Sequence, residues 1–563
     1  MPARVNAWRE RFTTLRPLTL RSLTHACGAL LITALAALPV AAVAQAPASP
    51  SSAASPAPAE ERFDILEYVV EDNTVLPTLE IERAVYPHLG PGRTLRDVEA
   101  ARKALEEAYQ RIGYQTVFVD IPEQRVDNGV VRLRVVEGRV DRLRVLGARY
   151  FSLGEIRAAV PEFAAGSVPD FNAVQSQLAQ VNRLPDRQVT PVLRQGAIPG
   201  TVEVDLNVKD QLPLHADIEI NNRASPFTTD TRLSATVRYD NLWQRQHSVG
   251  LTYQVSPEDR DEVDVLVATY LWRFADAPDV VSLFAVRSDS EVALVGSSTV
   301  LGRARLGGLR WIRPLPAGRG YFHSLNVGLD YKDFGQTNIA AGGGAVDVLA
   351  PITYVPLSLT YSGTLSQADA TTQLSLSLGS APRGLLGNSD AEFEGRRVLA
   401  RAGYFAWKAD VSHERGLSGR FSAFARAEGQ FSGEPLIPNE QFALGGAESV
   451  RGYREAEFFG DRGWRATVEF RFHPLGRAVT PSRRSLYALV AADAGEVLIV
   501  DPQGPQFRHR SLAGVALGLR WTWQGLRLAA DVARALREGA AGLTGPVTER
   551  DSHRWHLRLG YEY

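Results

Sequence analysis

The 563-residue sequence is poor in cysteine and methionine, with one of each, and has no long apolar run beyond its first 45 residues. The single cysteine, Cys27, lies in that N-terminal region, which excludes disulfide frameworks and thiolate metal sites from the rest of the chain. Membrane-spanning helices, which need roughly 18 or more apolar residues, are excluded after the same point. The 62 Lys and Arg residues balance 63 Asp and Glu residues, which argues against a general nucleic-acid-binding protein.

The sequence also lacks the common catalytic and nucleotide-binding motifs. No lysine follows a glycine, so a Walker phosphate-binding loop is absent. Neither H-E-x-x-H nor G-x-S-x-G occurs, and His413-Glu414 lacks the second histidine that a zinc protease needs. We therefore predict that the protein is not an enzyme and uses no cofactor and no metal. Scattered Asp and Glu residues remain as candidates for an acid pair.

The N-terminus has the pattern of a secretory signal. Residues 1–24 carry five arginines and one glutamate, and the next twenty are almost wholly apolar and end in Ala42-Val43-Ala44. This order of basic, apolar and small residues predicts a signal peptide over residues 1–44. A retained anchor helix is the alternative, which Pro39 disfavours because it breaks the run. Cys27 precedes the apolar core, where a lipoprotein cleavage site would not lie.

Two similar units follow a linker. Residues 45–60 are rich in Pro, Ala and Ser and cannot build a core. The chain then repeats the pattern strand, short helix, longer helix, strand, strand, which predicts α+β units over residues 61–138 and 139–210. Sheet edges of such units can accept an extended segment of another chain by strand addition. The alternative is a pair of rigid spacers without a ligand.

Capping residues mark the longer helix of each unit. In the first unit Thr94 and Asp97 have the spacing of a capping pair, apolar residues recur at helical spacing after them, and Gly113 follows the helix. In the second unit Asp170 precedes the corresponding apolar pattern. These signals indicate folded units rather than extended linkers.

Residues 211–563 show alternating patterns and hardly any helical periodicity. At about 20 residues for each strand and connection, the region accommodates about 16 strands, within the even numbers of outer-membrane barrels. We predict a transmembrane β-barrel whose apolar residues face lipid and whose Asp and Glu residues line the lumen. A soluble β-sandwich is the alternative. A typical alternating segment has apolar Leu233, Ala235, Val237 and Tyr239 between polar Ser234, Thr236, Arg238 and Asp240.

The last strand gives the clearest alternation. Its other face carries His556, Arg558, Gly560 and Glu562, so charges are predicted to point to the lumen. A terminal aromatic on such a strand resembles the signal by which bacterial outer-membrane proteins are delivered to their insertion machinery. The residues that make up this predicted membrane-insertion signal are Trp555, Leu557, Leu559, Tyr561 and Tyr563.

One segment carries a family resemblance. From Glu440 the chain reads EQFALGGAESVRGYREAEFFGDRGW. This segment resembles the sixth extracellular loop of the two-partner-secretion transporters, which belong to the same superfamily as the barrel-assembly factor. The similarity extends over the two units, which resemble POTRA domains, and over a barrel expected to have 16 strands. We expect the loop over residues 445–463, with its tetrapeptide formed by Val450, Arg451, Gly452 and Tyr453.

The resemblance implies a partner for the loop arginine. Gly445 and Gly446 let the backbone turn sharply, so that Arg451 can be carried into the lumen. The resemblance maps Asp493 onto the barrel-wall aspartate that holds this arginine, and a bidentate arginine–carboxylate pair has the geometric specificity to fix a loop. The alternative is that Arg451 is a solvated loop cation and Asp493 a turn residue at a strand end.

The resemblance implies an outer-membrane pore with POTRA units in the periplasm. It implies secretion, and activation as an additional role, of a large unfolded exoprotein of the haemolysin or adhesin kind with a β-helical fold. The other expected partners are outer-membrane lipid and the barrel-assembly machinery, with no nucleic acid. An assembly factor of the same superfamily and a passive porin are the alternatives. Because the linker has no helix-forming stretch, we do not expect the N-terminal plug helix that some family members carry.

Overall fold

The computed structural model describes residues 61–563 apart from 227, 276, 291, 296–297, 302, 341–345, 477–483, 505 and 543–544. The predicted signal peptide (1–44), the linker (45–60) and the question of a plug helix therefore lie outside the described residues. No helix within the described ranges is both long enough and apolar enough to cross a bilayer.

The first unit packs two helices on a three-stranded sheet. The sheet has the order β2-β5-β4, with β2 parallel and β4 antiparallel to β5, and β1 pairs separately with β3. A 3₁₀ turn, Tyr86–His88, follows the first helix. The elements are β1 (Phe63–Ile65), β2 (Glu67–Glu71), α1 (Thr78–Val85), β3 (Gly90–Arg93), α2 (Leu95–Arg111), β4 (Val117–Asp120) and β5 (Val130–Glu137).

The predicted capping residues delimit α2. The Asp97 carboxylate accepts hydrogen bonds from the backbone N–H and the hydroxyl of Thr94, at 2.9 and 3.0 Å. These bonds, the backbone one above all, lower the pKa of Asp97. Gly113, at φ 115°, lies just beyond the helix. The face that α2 buries in the core consists of Val98, Ala101, Leu105, Ala108 and Tyr109.

The second unit repeats this topology with the sheet order β6-β8-β7. Asp170 caps the longer helix by accepting a 2.8 Å hydrogen bond from the backbone N–H of Asn172. Ile156 and Phe163 lie fully buried between the helices and the sheet. The elements are β6 (Arg139–Leu146), α3 (Leu153–Ala158), a 3₁₀ turn (Pro161–Phe163), α4 (Phe171–Val181), β7 (Arg187–Gln195) and β8 (Thr201–Asp210).

The rest of the chain folds into a closed antiparallel barrel and the short hairpins of its connections. In chain order its strands are β9 (Leu214–Asn221), β10 (Arg232–Leu242), β11 (His247–Val255), β12 (Val263–Arg273), β13 (Val280–Ser290), β14 (Val292–Val295), β15 (Ser298–Leu301), β16 (Ala304–Pro314), β17 (Tyr321–Phe334), β18 (Thr337–Ala340), β19 (Val346–Leu349), β20 (Ile352–Tyr354), β21 (Leu357–Ser366), β22 (Ala370–Ser380), β23 (Phe405–Gly416), β24 (Phe421–Ser432), β25 (Phe442–Leu444), β26 (Phe458–Gly460), β27 (Arg462–Phe472), β28 (Arg484–Leu498), β29 (His509–Trp523), β30 (Leu526–Ala535), β31 (Ala541–Gly542), β32 (Gly545–Pro546) and β33 (His553–Glu562).

Over the described residues, sixteen wall positions close the barrel. β20 and β21 pair in succession with the long strand β17 and together fill one position. The last strand closes on the first, with Arg558 opposite Asn221 and Glu562 opposite Asp217. The pairs β14–β15, β18–β19, β25–β26 and β31–β32 are short hairpins in the connections. The connections also contain α5 (Asp390–Arg396) and the 3₁₀ turns Leu385–Gly387 and Pro438–Glu440.

The two faces of the wall differ as the alternation predicts. On β27, Val468 and Phe470 are about half exposed on the outside, whereas Glu469 is buried on the inside. On β28, Val490 faces outward while Asp493 is buried. The predicted fold class, a 16-stranded barrel preceded by two α+β POTRA-like units, is confirmed.

A closed barrel keeps every wall strand paired, so it resists detergent until it is heated. We expect the protein to migrate faster on a denaturing gel when loaded without boiling than after boiling, and to fractionate with outer membranes. Identical migration of boiled and unboiled samples, or recovery from the soluble periplasmic fraction, would contradict the barrel.

Candidate functional site in the barrel lumen

The tetrapeptide lies in the connection between β24 and β27. Within this connection β25 and β26 pair from Phe442 opposite Gly460 to Leu444 opposite Phe458. Residues 445–457 between them form a turn that we call the tip segment. All four tetrapeptide residues are buried, and Arg451 is only 3% exposed. Because their partners lie on inward faces of wall strands, the tip segment is folded into the lumen.

The structure brings Arg451 and Asp493 together. The Arg451 Nε and Nη2 groups donate to the two carboxylate oxygens of Asp493 at 2.7 and 2.8 Å, and the Arg451 backbone N–H donates to Asp493 at 3.2 Å. Arg451 Nη1 also donates to Glu469 at 2.9 Å. A guanidinium held by two carboxylates from adjacent wall strands fixes both the position and the orientation of the loop.

The wall carboxylates have further partners of their own. The hydroxyl of Thr467 donates to Asp493 at 2.8 Å. Arg471 donates to Glu469 at 2.7 Å and to Glu414, on β23, at 2.9 Å. The network therefore joins the tip segment to β23, β27 and β28. Alternation placed Glu469 inside the barrel, but its role as a second partner of the loop arginine was missed.

Gly452 contacts another part of the wall, three strands beyond β28. Its backbone N–H donates to Nε2 of His556, on β33, at 3.0 Å, so Nε2 is the unprotonated ring nitrogen. Gly452 has a φ of 99°, and an added Cβ would lie 3.0 Å from the backbone nitrogen of Ala535. The turn therefore requires glycine for its conformation and for its close approach to β30. Sequence reasoning placed His556 in the lumen without this contact.

Tyr453 and Val450 anchor the tip segment by other means. The Tyr453 hydroxyl lies 2.8 and 3.0 Å from the backbone oxygens of Arg537 and Ala513, and it accepts a 3.0 Å hydrogen bond from the N–H of Arg537. Val450 packs in an apolar cluster. Other members of this cluster are Leu444, Phe458, Val497, Leu512 and Ala535.

Close backbone packing also fixes the site. Gly446, at φ 118°, lies so near Glu455 that an added Cβ would be 2.1 Å from a carboxylate oxygen. Gly514 on β29 faces the tip segment, and a Cβ there would lie 2.1 Å from the backbone oxygen of Arg451. The wall is therefore shaped to admit this loop, and neither position has space for a larger side chain.

Two acidic residues hold the base of the connection. Glu440 accepts hydrogen bonds from Lys332 Nζ and the Tyr354 hydroxyl, both at 2.6 Å. The fully buried Asp461 pairs with Arg397 and accepts from the backbone N–H of Val500 at 2.7 Å. Neither was identified from the sequence, because their partners are distant in the chain and alternation does not reveal cross-loop contacts.

The predicted insertion signal lies on the outside of the barrel. Trp555, Tyr561 and Tyr563 on or next to β33 are 59%, 48% and 73% exposed, whereas His556 between them is buried. Leu557 and Leu559 share the outer face. The arrangement presents a continuous apolar and aromatic surface to lipid, and the signalling role stays a prediction.

Beside the tip segment the lumen contains a cavity of about 630 Å³. The acidic residues in its wall have basic partners. The ion pairs around it are Arg310 with Asp330, Arg426 with Asp410, Arg465 with Glu428, Lys332 with Glu440, and Arg223 with Glu448 and Glu455.

One group among the described side chains has the composition of a cation site. The ligand atoms of Asp186, His215 and Asp240 lie within 4.8 Å of one another, where the second unit meets the ends of β9 and β10. These atoms already contact each other, with His215 Nε2 at 2.9 Å from Asp186 and 3.4 Å from Asp240. The three side chains therefore already contact one another at the junction of the second unit and the barrel.

Known proteins are similar to this chain in sequence and in architecture. Residues 63–138 match the ShlB-type POTRA domain. The outer membrane transporter CdiB of Dickeya dadantii is 23% identical over 82% of this chain and 81% of its own. The heme/hemopexin transporter protein HuxB of Haemophilus influenzae is 21% identical over 73% of each chain. The solved structure of CdiB from Escherichia coli has a TM-score of 0.63 at 20% identity, covering 92% of this chain and 93% of that one, which supports the fold.

The family itself is shown by a longer match. Residues 200–521, more than half of the chain, match the model of the haemolysin secretion/activation proteins ShlB/FhaC/HecB. This range contains the tip segment, its wall partners on β27 and β28, and most of the barrel. The chain therefore belongs to the haemolysin secretion/activation protein family ShlB/FhaC/HecB.

Proposed function

We propose that the protein is the outer-membrane transporter of a two-partner secretion pair, and that it passes an exported protein from the periplasm to the cell surface. The observation that carries this proposal is the family match over residues 200–521. The barrel supplies the path across the outer membrane, and the two POTRA units extend into the periplasm.

The cargo in this proposal is a large unfolded exoprotein of the haemolysin or adhesin kind. The sequence has no Walker loop, so the driving force is folding of the cargo outside the cell. Burial of apolar surface in a β-helical core would oppose its return through the pore. Activation of the cargo accompanies its passage in this scheme, and the transporter itself performs no catalysis.

The alternatives explain fewer of the observations. An assembly factor of the same superfamily is expected to carry more periplasmic units than the two in the described residues. A passive porin requires neither the POTRA units nor a lumenal loop held by buried ion pairs. Secretion uses both features, because the units receive the cargo and the loop occupies the conduit.

In this function the contacts of Arg451 position the tip segment. The loop fills part of the lumen, so its position determines the space left for the cargo. Asp493 and Glu469 hold Arg451, and His556 holds Gly452, so the tip segment is fixed at two separate points of the wall. We assign these residues a positioning role in transport.

The outer surface of β33 serves biogenesis in this proposal. Its exposed aromatic residues, with Tyr563 at the end, contact outer-membrane lipid and form the signal read by the barrel-assembly machinery. Trp and Tyr suit this position because their rings combine an apolar body with a polar group.

Replacing Arg451 tests the role of the tip segment. Arg451→Ala leaves two buried carboxylates without this partner. Removing one partner of a buried ion pair lowers the free energy of unfolding by about 3 to 5 kcal/mol. We expect the barrel to insert normally and secretion of the partner, measured in the culture medium, to fall sharply. Arg451→Lys should restore little, because an ammonium cannot make the two parallel bonds of a guanidinium.

Arg454 offers a matched control in the same loop. It pairs at 3.0 Å with Asp230, whose side chain is 60% exposed, so Arg454→Ala should cost about 0 to 1 kcal/mol and leave secretion nearly unchanged. The charge swap Arg451→Asp with Asp493→Arg should recover part of the lost secretion. Full secretion by Arg451→Ala alone would contradict the positioning role.

Gly514 tests the close fit without removing a charge. In Gly514→Ala the new Cβ would lie 2.1 Å from the Arg451 backbone oxygen, so the tip segment must move. We expect reduced secretion and a changed single-channel conductance in planar bilayers. Gly307→Ala on β16 is the control, since an added Cβ there would lie 3.9 Å from the nearest atom, the backbone oxygen of Phe284. Equal behaviour of the two variants would refute the close-fit argument.

Deleting residues 63–208 tests whether the POTRA units receive cargo. The wall of the barrel is complete without them, so we expect the shortened protein to insert and conduct ions. Secretion of the exoprotein partner should be abolished, as measured by immunoblot of the medium. Retained secretion would identify the units as spacers.

A further inference from the structure

The first periplasmic turn of the barrel, residues 243–246 between β10 and β11, has an unusual backbone. Trp243, Gln244 and Gln246 have φ values of 56°, 61° and 60°. Residues other than glycine rarely adopt this left-handed backbone conformation. Where they do, the surrounding contacts hold the backbone in it. Three in one four-residue turn therefore suggest that its shape is set by what it contacts.

Gln244 in this turn contacts the second POTRA unit. Its side-chain oxygen accepts a 2.9 Å hydrogen bond from the backbone N–H of Ser152, and its side-chain amide donates to the backbone oxygen of Tyr150 at 3.1 Å. Asn241, which is almost fully buried on β10, donates to the same Gln244 oxygen at 2.8 Å. The amide of Gln244 thus uses both its donor and its acceptor on the segment that precedes α3.

A second contact joins the same two parts of the protein. His215 on β9 lies 2.9 Å from Asp186 of the second unit and 3.4 Å from Asp240 of β10. Asp186 is 1% exposed, and its other carboxylate oxygen accepts a 2.8 Å hydrogen bond from Gln211. Two buried carboxylates, one from each part, are therefore held against one imidazole.

The two contacts hold different parts of the second unit. Gln244 holds the segment before α3, whereas Asp186 immediately precedes β7, an edge strand of the sheet. With only one contact, the second unit could still rotate about the connection between β8 and β9. Two contacts at separate points remove that freedom and fix the direction of the β7 edge relative to the barrel.

We propose that Gln244 and His215 form a clamp that holds the second POTRA unit in one orientation over the periplasmic opening, and that both are positioning residues for transport. The inference rests on the proposed function for its link to secretion, while the clamp itself rests on the contacts. Cargo bound along the β7 edge would then be presented to the lumen in a fixed direction, and an undocked unit would deliver it inefficiently.

Spin labels test directly whether the second unit is held in one orientation relative to the barrel. With Cys27→Ser, the changes Ala197→Cys in the second unit and Ser418→Cys in the turn between β23 and β24 provide two labelling positions. Pulsed dipolar spectroscopy on the full chain in detergent gives the distribution of distances between them. The test variant is Gln244→Ala with His215→Ala. The control, Gln246→Ala with His553→Ala, changes the same residue types, one in the strained turn and one on β33.

We expect a narrow distance distribution for the parent and the control, and a broad one for the test variant. Loss of the hydrogen bonds should raise the undocked population by about tenfold or more and reduce secretion of the partner correspondingly. Gln244→Glu keeps the acceptor and loses the donor, so it should give an intermediate width.

The outcomes separate the clamp from the proposed function. A narrow distribution in the test variant would overturn the clamp, and a broad distribution with normal secretion would overturn its role in transport. If the parent chain secretes no partner, the proposed function fails, and the distance distributions alone still decide whether the clamp exists.

Discussion

The buried guanidinium of Arg451 is the constraint on which the lumen depends. A charge at this depth needs opposite charge from several directions, and here Asp493 and Glu469 come from neighbouring wall strands. Only a chain that turns sharply at Gly446 and approaches β30 closely at Gly452 can bring the arginine there. The pairing of this buried guanidinium is thus one requirement that several features satisfy: the backbone of the loop, the small residue Gly514 in the wall and the order of charges on β27 and β28.

The acidic residues in the rest of the lumen also have basic partners. Around the cavity, Glu428 pairs with Arg465 on an adjacent strand, and Glu440 pairs with Lys332. A wall of matched pairs offers few unpaired charges on which an unfolded polypeptide could be held. Such a lining suits the passage of a chain of varied sequence better than the binding of one ligand, which fits a conduit for protein.

The alternation of apolar and polar residues predicted which side chains face lipid and which face the lumen. It did not predict contacts between residues that are distant in the chain. Alternation placed Val468 and Phe470 outside and Glu469 inside, and family resemblance paired Arg451 with Asp493. The contact between Gly452 and His556 forms only when the loop is folded into the lumen against β33, which is distant from it in the chain, so no local pattern predicts it. The strained turn at Gln244 was missed for a related reason, since turn prediction depends on glycine and this turn has none.

The stability of the barrel and the position of its loop depend on different interactions. Wall strands are held by continuous ladders of backbone hydrogen bonds, which cannot be exchanged for water within the bilayer. A buried ion pair adds little net stability, because desolvation offsets much of its Coulombic attraction, but losing one partner is costly. The charges around Arg451 therefore contribute mainly by excluding other loop positions. Since the wall ladders do not include this pair, replacing Arg451 should displace the tip segment while the barrel stays intact.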